Sequence, residues 1–349
     1  FINSKKLRRQ ISKLLKKGNN YLLSNNDFES FNRYYFIKNF ANPLFGLFKE
    51  VGDDLKIKPM EIPMAIRWDA LTMIGNNTFN RDYFKSDNNA FINSKNDLIK
   101  LGNILFFDPI LSGNNERSCA SCHKPELAFS DGLSSSISFN FEGSLKRNSP
   151  SLINVGLQQA YFWDSRVNYL EDQVIDVTQN KSELHGNFDD IVQFLEKSDE
   201  YKVLFQKAFV GTKFEKISAE GIRIAIAEFE RSLIALNSEF DQSINQKEDI
   251  ISKDAIAGFN LFMGKALCGT CHFFPIFNGT VPPKFNKTEW EVIGVPGNAD
   301  FNNSIMDLDS GRYLVYGKFL HQFAFKTPGV RNMNLTAPYM HNGVYSNLE

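Results

Sequence analysis

The sequence predicts a mainly α protein: two successive helical domains with long loops, behind an N-terminal helical extension. Three observations carry this. Apolar residues recur with helical period in several stretches, and strand signals are few. The four cysteines fall into two motifs of one pattern, each preceded by a helical run. A chain of 349 residues has room for two ordinary domains with sizeable cores. Its 42% hydrophobic and 23% charged residues are the balance of a soluble globular protein. A formal net charge of −1 gives no footing for nucleic-acid binding. No stretch approaches the roughly 18–20 apolar residues that span a bilayer.

Along the chain, residues 1–95 form the extension and hold no nameable chemistry. Within it, residues 5–17 are basic and amphipathic, with Leu7, Ile11, Leu14 and Leu15 on one side, and read as a packed helix with a solvated polar face. Residues 96–245 form the first domain. Helical patterns cover 168–177, two short pieces in 187–209, and 218–237, where Ser218 is the N-cap and Ile222, Ile226, Phe229, Leu233 and Leu236 keep the period. Residues 246–349 form the second domain, with Ser252 capping a helix through Ala255, Phe259, Leu261 and Phe262. Residues 275–310, rich in Pro, Gly and Asn, read as long loops. The chain begins at Phe1 without an initiator Met and ends at Glu349, inside what reads as the start of a helix over 346–349. It is therefore expected to be a piece of a longer protein, with its last domain truncated and its leader out of view.

The cysteines carry the chemistry. Cys119-Ala120-Ser121-Cys122-His123 and Cys268-Gly269-Thr270-Cys271-His272 are both CxxCH, the attachment signature of haem c. Two thiols at this spacing add to the two vinyl groups on one porphyrin edge, and the adjacent imidazole reaches the iron as proximal ligand. Two disulfides, a thioredoxin-like redox pair, or one zinc held by all four thiols are the competing readings. A His directly after each pair favours two covalently bound haems, with His123 and His272 as iron ligands. The fold class then becomes two cytochrome c-like haem domains, and repetition of helix, motif and loops suggests a weak internal duplication. Haem c is attached outside the cytoplasm, so the expected location is the periplasm, or a membrane's outer face if an anchor precedes Phe1.

From about residue 98 onward the chain resembles the bacterial di-haem cytochrome c peroxidases and MauG. The resemblance rests on LGNILFFDPILSGNNERSCASCH, FSDG at 129–132, KRNSPSLINVG, FWDSRVNYLEDQ, the second CxxCH and FKTPGVRNMNLTAPYMHNG, in that order. It implies an oxidoreductase that reduces hydrogen peroxide to water. The first haem would react with peroxide, and the second would take electrons from a small donor protein, a cytochrome c or a cupredoxin. It places a catalytic Glu at Glu183 and a distal Gln at Gln173. A carboxylate there can move a proton between the peroxide oxygens, and an apolar pocket would raise its pKa toward the working range. It makes Trp163 an electron relay between haems, an indole being suited to packing on porphyrin edges. It implies one Ca2+ on the side chain of Asn148 and the backbone carbonyls of Thr336 and Pro338, oxygen ligands of the kind calcium accepts. A homodimer is a further implied state, for which the residues show no signature.

The sequence departs from the family in two places. Many members have a His in the loop after the first motif that caps the resting iron. The matching position is about Phe139, and no His lies between His123 and His185, so the first haem is expected to be open at rest. The distal ligand of the second haem, Met or Tyr in the family, would fall beyond Glu349, and Met340 is in the wrong place for it. His185 is a minor candidate for lining the first pocket, while His321 and His341 receive no chemistry. Two further functions stay open: MauG-like oxidation of a partner protein, and a di-haem electron carrier without peroxidase activity.

Overall fold

The computed structural model describes residues 2–59, 62–86 and 94–348. Phe1 and Glu349 lie outside them. Of the helix expected over 346–349, the described residues 346–348 form a bend and irregular chain. The structure is mainly helical. Among the described residues the one sheet is a two-residue antiparallel ladder, β1 (Trp290–Glu291) with β2 (Phe325–Lys326), in which Trp290 faces Lys326. No described helix is long and apolar enough to cross a membrane.

Two compact units are present, and each is built from two chain segments. The linear cuts near residues 95 and 245 therefore do not coincide with them. The first unit comprises Phe1–Tyr83 and Ala235–Lys287. Its α1 (Lys5–Ser24) is capped by Ser4, whose side chain accepts from the Leu7 N–H. Leu7 and Gly18 are buried, with Gly18 against Phe40, while the seven cations at 5, 6, 8, 9, 13, 16 and 17 are all exposed. α2 (Arg33–Phe36) runs through a π turn (Ile37–Ala41) into α3 (Asn42–Asp54). Tyr34, Ile74, Ile244 and Phe259 form the unit's small core, lined by Phe240, Phe274 and Phe277. Ser252 caps α10 (Lys253–Met263), as its position predicts, by accepting from the Ala255 N–H. Asn42 and α9 (Glu239–Asn245) tie the two segments together, through the Asn42 amide on the Ile244 carbonyl and the Asn245 side chain.

The second unit comprises Phe84–Ile234 and Thr288–Glu349. Its centre is the crossing of α4 (Lys95–Phe107) with α8 (Ala219–Ser232). Gly102 makes that crossing: a Cβ there would lie 1.9 Å from the Ala225 carbonyl oxygen, so only a residue without a side chain lets the backbones meet. α8 is buried from Gly221 to Arg231 apart from Arg223, and leaves helical geometry at Leu233, short of the expected 237. α5 (Leu170–Gln179), α6 (Phe188–Leu195) and α7 (Asp199–Ala208) surround the pair, the last two matching the two short helices read in 187–209. Leu98, Leu101, Leu105, Phe106, Phe205, Ile222, Ile226 and Phe229 fill the core.

Buried charge is concentrated on α8. Arg231 lies 2.6 Å from Glu171 and 3.8 Å from Glu228, and Lys85 lies 2.7 Å from Glu228. All four side chains are almost wholly buried, so the interior here is held by paired ions as well as by apolar contact.

Candidate active site

The two CxxCH segments fold alike. Each is a single 3-10 turn, Cys119–Ser121 and Cys268–Thr270. In each, the His N–H donates to the first Cys carbonyl, at 3.0 Å for His123 and 2.9 Å for His272. Each is followed by a short loop closed by an antiparallel bridge, Lys124 with Ser130 and Phe273 with Asn278. The local repeat read from sequence therefore extends to backbone conformation. No disulfide joins any two of the four cysteines, so the disulfide reading fails. Among the described residues, no group of three or more His, Cys, Asp or Glu is placed to share a metal ion.

In the second unit the first motif opens onto a cavity of about 1350 Å3, above the ~300–1,000 Å3 of ordinary small-molecule pockets. Cys119, Cys122 and His123 line it together with Trp163, Gln173 and Glu183. One face of α5 supplies a wall: Leu170, Gln173, Val174 and Val177 recur at helical spacing. His123 is set for iron. Its Nδ1 lies 2.9 Å from the Phe129 carbonyl oxygen, which accepts only from an N–H. The proton therefore sits on Nδ1 and the lone pair on Nε2. Burial lowers the His123 pKa and so favours the neutral, ligating form. Burial raises both the Cys119 and the Cys122 thiol, against the pull of Arg117 on Cys122. A large, partly apolar cavity with two adjacent thiols and an oriented imidazole on its wall fits a covalently held haem.

Glu183 closes the turn after α5, and Asn180 donates to its Oε1 at 2.7 Å. Burial is the main influence on this carboxyl and raises it to about 7, against the lowering pull of Arg166 and Asn180. Gln173 sits earlier in the chain, on α5, on the same wall. Trp163 is half-buried, and its Nε1–H donates to the Asn148 carbonyl at 2.9 Å. Asn148 donates from Nδ2 to the Leu133 carbonyl at 2.7 Å, which orients its amide oxygen. Thr336 and Pro338 lie on another loop and do not line the cavity. Cys268, Cys271 and His272 belong to the first unit, delivered by α10, with Phe262 against the His272 ring.

Phe139, expected at about the position of a capping His, is buried. Its N–H donates to the Ser182 carbonyl at 2.8 Å and its ring meets His185 edge-on. His185 is exposed and does not line the cavity. His321 packs against Trp290 and Tyr316. His341 is buried, stacked on Phe325 at 3.7 Å, edge-on to Trp163, and 3.3 Å from Asp307.

Sequence reasoning missed three groups of the cavity wall. Lys326, half-buried and lowered to about 8 by desolvation, contacts the Gln158 side chain and the Ala160 carbonyl. Arg117 stands two residues before the motif. Glu230 lies on α8 four residues after Ile226, a charged residue on an apolar face, and that pattern was the available signal. Burial raises Glu230 to about 8, with the Glu171 charge adding and Arg231 opposing. Its folded pKa thus lies above the ordinary carboxyl value, so its contribution to stability is full below about 4.3 and is lost as pH rises through about 8. Glu230→Gln is expected to shrink the fall in thermal midpoint between pH values below and above this window. An equal fall in both proteins would contradict it.

Comparison with known proteins agrees with this geometry. The sequence profile described as "Di-haem cytochrome c peroxidase" matches residues 96–249. The chain is 34% identical over 252 residues to methylamine utilization protein MauG of Methylorubrum extorquens, covering 72% of this chain and 66% of that protein. It is 30% identical over 254 residues to cytochrome c551 peroxidase of Nitrosomonas europaea, covering 72% of this chain and 71% of that one. The chain thus spans about two thirds of the length of these relatives. Among solved structures it matches a MauG-like protein associated with microbial copper homeostasis, with TM-score 0.64, 27% identity, and coverage of 81% of this chain and 80% of that one. Two like-folded CxxCH turns, one opening onto a haem-sized cavity, and relatives at this identity make the chain a member of the di-haem cytochrome c peroxidase and MauG family.

Proposed function

We propose that the protein is a di-haem cytochrome c peroxidase, reducing hydrogen peroxide to water with electrons from a small soluble redox protein such as a cytochrome c or a cupredoxin. The observation that carries this reading is Glu183, a carboxyl raised to about 7 on the wall of the cavity that holds Cys119, Cys122 and His123. Haem bound at Cys119, Cys122 and His123 supplies the two-electron redox chemistry. Overall, hydrogen peroxide, two electrons and two protons give two waters. Glu183 takes the proton from the near peroxide oxygen and returns it to the departing one. Asn180, donating to its Oε1, holds the carboxyl in place, and Gln173 on the same wall offers an amide to orient peroxide. Trp163, fixed through Asn148, is assigned the electron relay from the Cys268–His272 haem, and Asn148, Thr336 and Pro338 the ligation of one Ca2+. Phe139 in place of a capping His supports a first haem open at rest. The location that goes with this reading is the periplasm.

The test is to reduce the haem-loaded protein at the second haem only, add one equivalent of hydrogen peroxide, and follow both haem bands by stopped flow. Rapid oxidation of the second haem is the expected result. No reaction would favour an electron carrier, and a long-lived oxidised state awaiting a partner would favour MauG-like protein oxidation. A resting spectrum with two six-coordinate low-spin haems would overturn the open first haem.

A further inference from the structure

We propose that Arg117 seats a small-anion site in the cavity of the second unit, on the wall that carries Glu183. Arg117 is 5% exposed and lines the cavity, yet among the described residues its Nη1 has no hydrogen-bond partner. Its Nη2 reaches only the Cys122 sulfur, at 3.4 Å, a weak acceptor. The Phe141 ring lies 5.4 Å from its guanidinium carbon. Among the described residues, no carboxylate lies within ion-pair distance of it. The contrast with Arg147 is direct. That guanidinium, on the same cavity, is fully engaged by Asp164 and Asp309. A guanidinium stays charged at any working pH, and a buried charge without a counter-charge is costly. An anion entering the cavity supplies what the chain does not.

Its position ties Arg117 to Glu183. Phe141, under the guanidinium, belongs to the turn in which the Phe141 N–H donates to Ser138 at 2.9 Å. The same turn is bound to the Glu183 segment by the Phe139 N–H on the Ser182 carbonyl. Ser138, Ser182, Glu183 and Arg117 all line the cavity. Arg117 also draws the Glu183 carboxyl downward, against the effect of burial.

The ligand class is a compact inorganic anion. In peroxide reduction, and here the inference rests on the peroxidase reading, that anion is hydroperoxide. When the Glu183 carboxylate accepts a proton from hydrogen peroxide, one O–H bond breaks, one forms on the carboxyl, and the negative charge passes to the peroxide. Arg117 is the fixed positive charge beside it. It acts with Glu183, one group taking the proton and the other holding the charge left behind.

Fluoride, binding to the oxidised haem-loaded protein and read from its absorption spectrum, tests the site without turnover. Imidazole, a neutral ligand, is the control. In Arg117→Leu, fluoride affinity is expected to fall about tenfold to a hundredfold, the worth of one charge-assisted hydrogen bond, with imidazole affinity unchanged. Arg117→Lys should recover part of the loss. Equal fluoride affinity in wild type and Arg117→Leu would overturn the site, as would parallel losses for both ligands. Imidazole binding with no fluoride binding in the wild type overturns it alone. Binding of neither overturns the open first haem as well. Fluoride behaviour as expected, in a protein that does not reduce peroxide, would leave the anion site standing and remove the peroxidase reading.

Discussion

Replacing Glu183 by Gln is expected to slow peroxide reduction by about 10²–10⁴-fold, the usual worth of a positioned acid–base group. The two haem bands should remain, because Glu183 holds neither thiol nor imidazole. Gln keeps the volume and still accepts from Asn180, but cannot take a proton. The pH profile is the sharper part. Glu183 acts first as a base, so it must be ionised, and burial raises it to about 7. Turnover in the wild type should therefore rise with pH through about 7, and the small residual rate of Glu183→Gln should not. Stopped-flow oxidation of the second haem across that range measures both. An unchanged rate, or the same pH dependence in the variant, would remove Glu183 from the proton path.

Arg231→Leu should cost about 3–5 kcal/mol of stability, the penalty for breaking a buried ion pair from one side. Glu171 would be left 5% exposed without the guanidinium 2.6 Å away, and Glu228 would keep Lys85 but lose its second neighbour. A domain's whole stability is about 5–15 kcal/mol, so the loss should be plain in urea unfolding followed by circular dichroism. Adding Glu171→Leu should recover most of it, since an apolar pair of similar volume can replace buried ions without loss. A cost below about 1 kcal/mol for Arg231→Leu would show that water reaches the cluster.

Much of this was legible in the sequence. The helix N-caps at Ser218 and Ser252 and the paired short helices over 187–209 are local signals, set within a few residues, and the structure has them. The CxxCH turns are equally local. What escaped depends on contacts distant in sequence. Arg117 reads as an ordinary surface cation until the structure shows it buried and unpaired. Lys326 lies far along the chain from the cavity it lines. Nothing in a linear pattern marks the break after Ile234, where one compact unit gives way to the other.

That break has a consequence for assembly. The segment Ala235–Lys287 is an insertion within the second unit, whose chain resumes at Thr288. Residues 297–326 complete the cavity around the first CxxCH motif, so its wall cannot close until the chain on both sides of the inserted segment has folded together. The inserted segment acts as a long loop that the second unit must close, a delay typical of high contact order. While it lasts, Cys119 and Cys122 lie on an unfinished wall, reachable before the fold has sealed it.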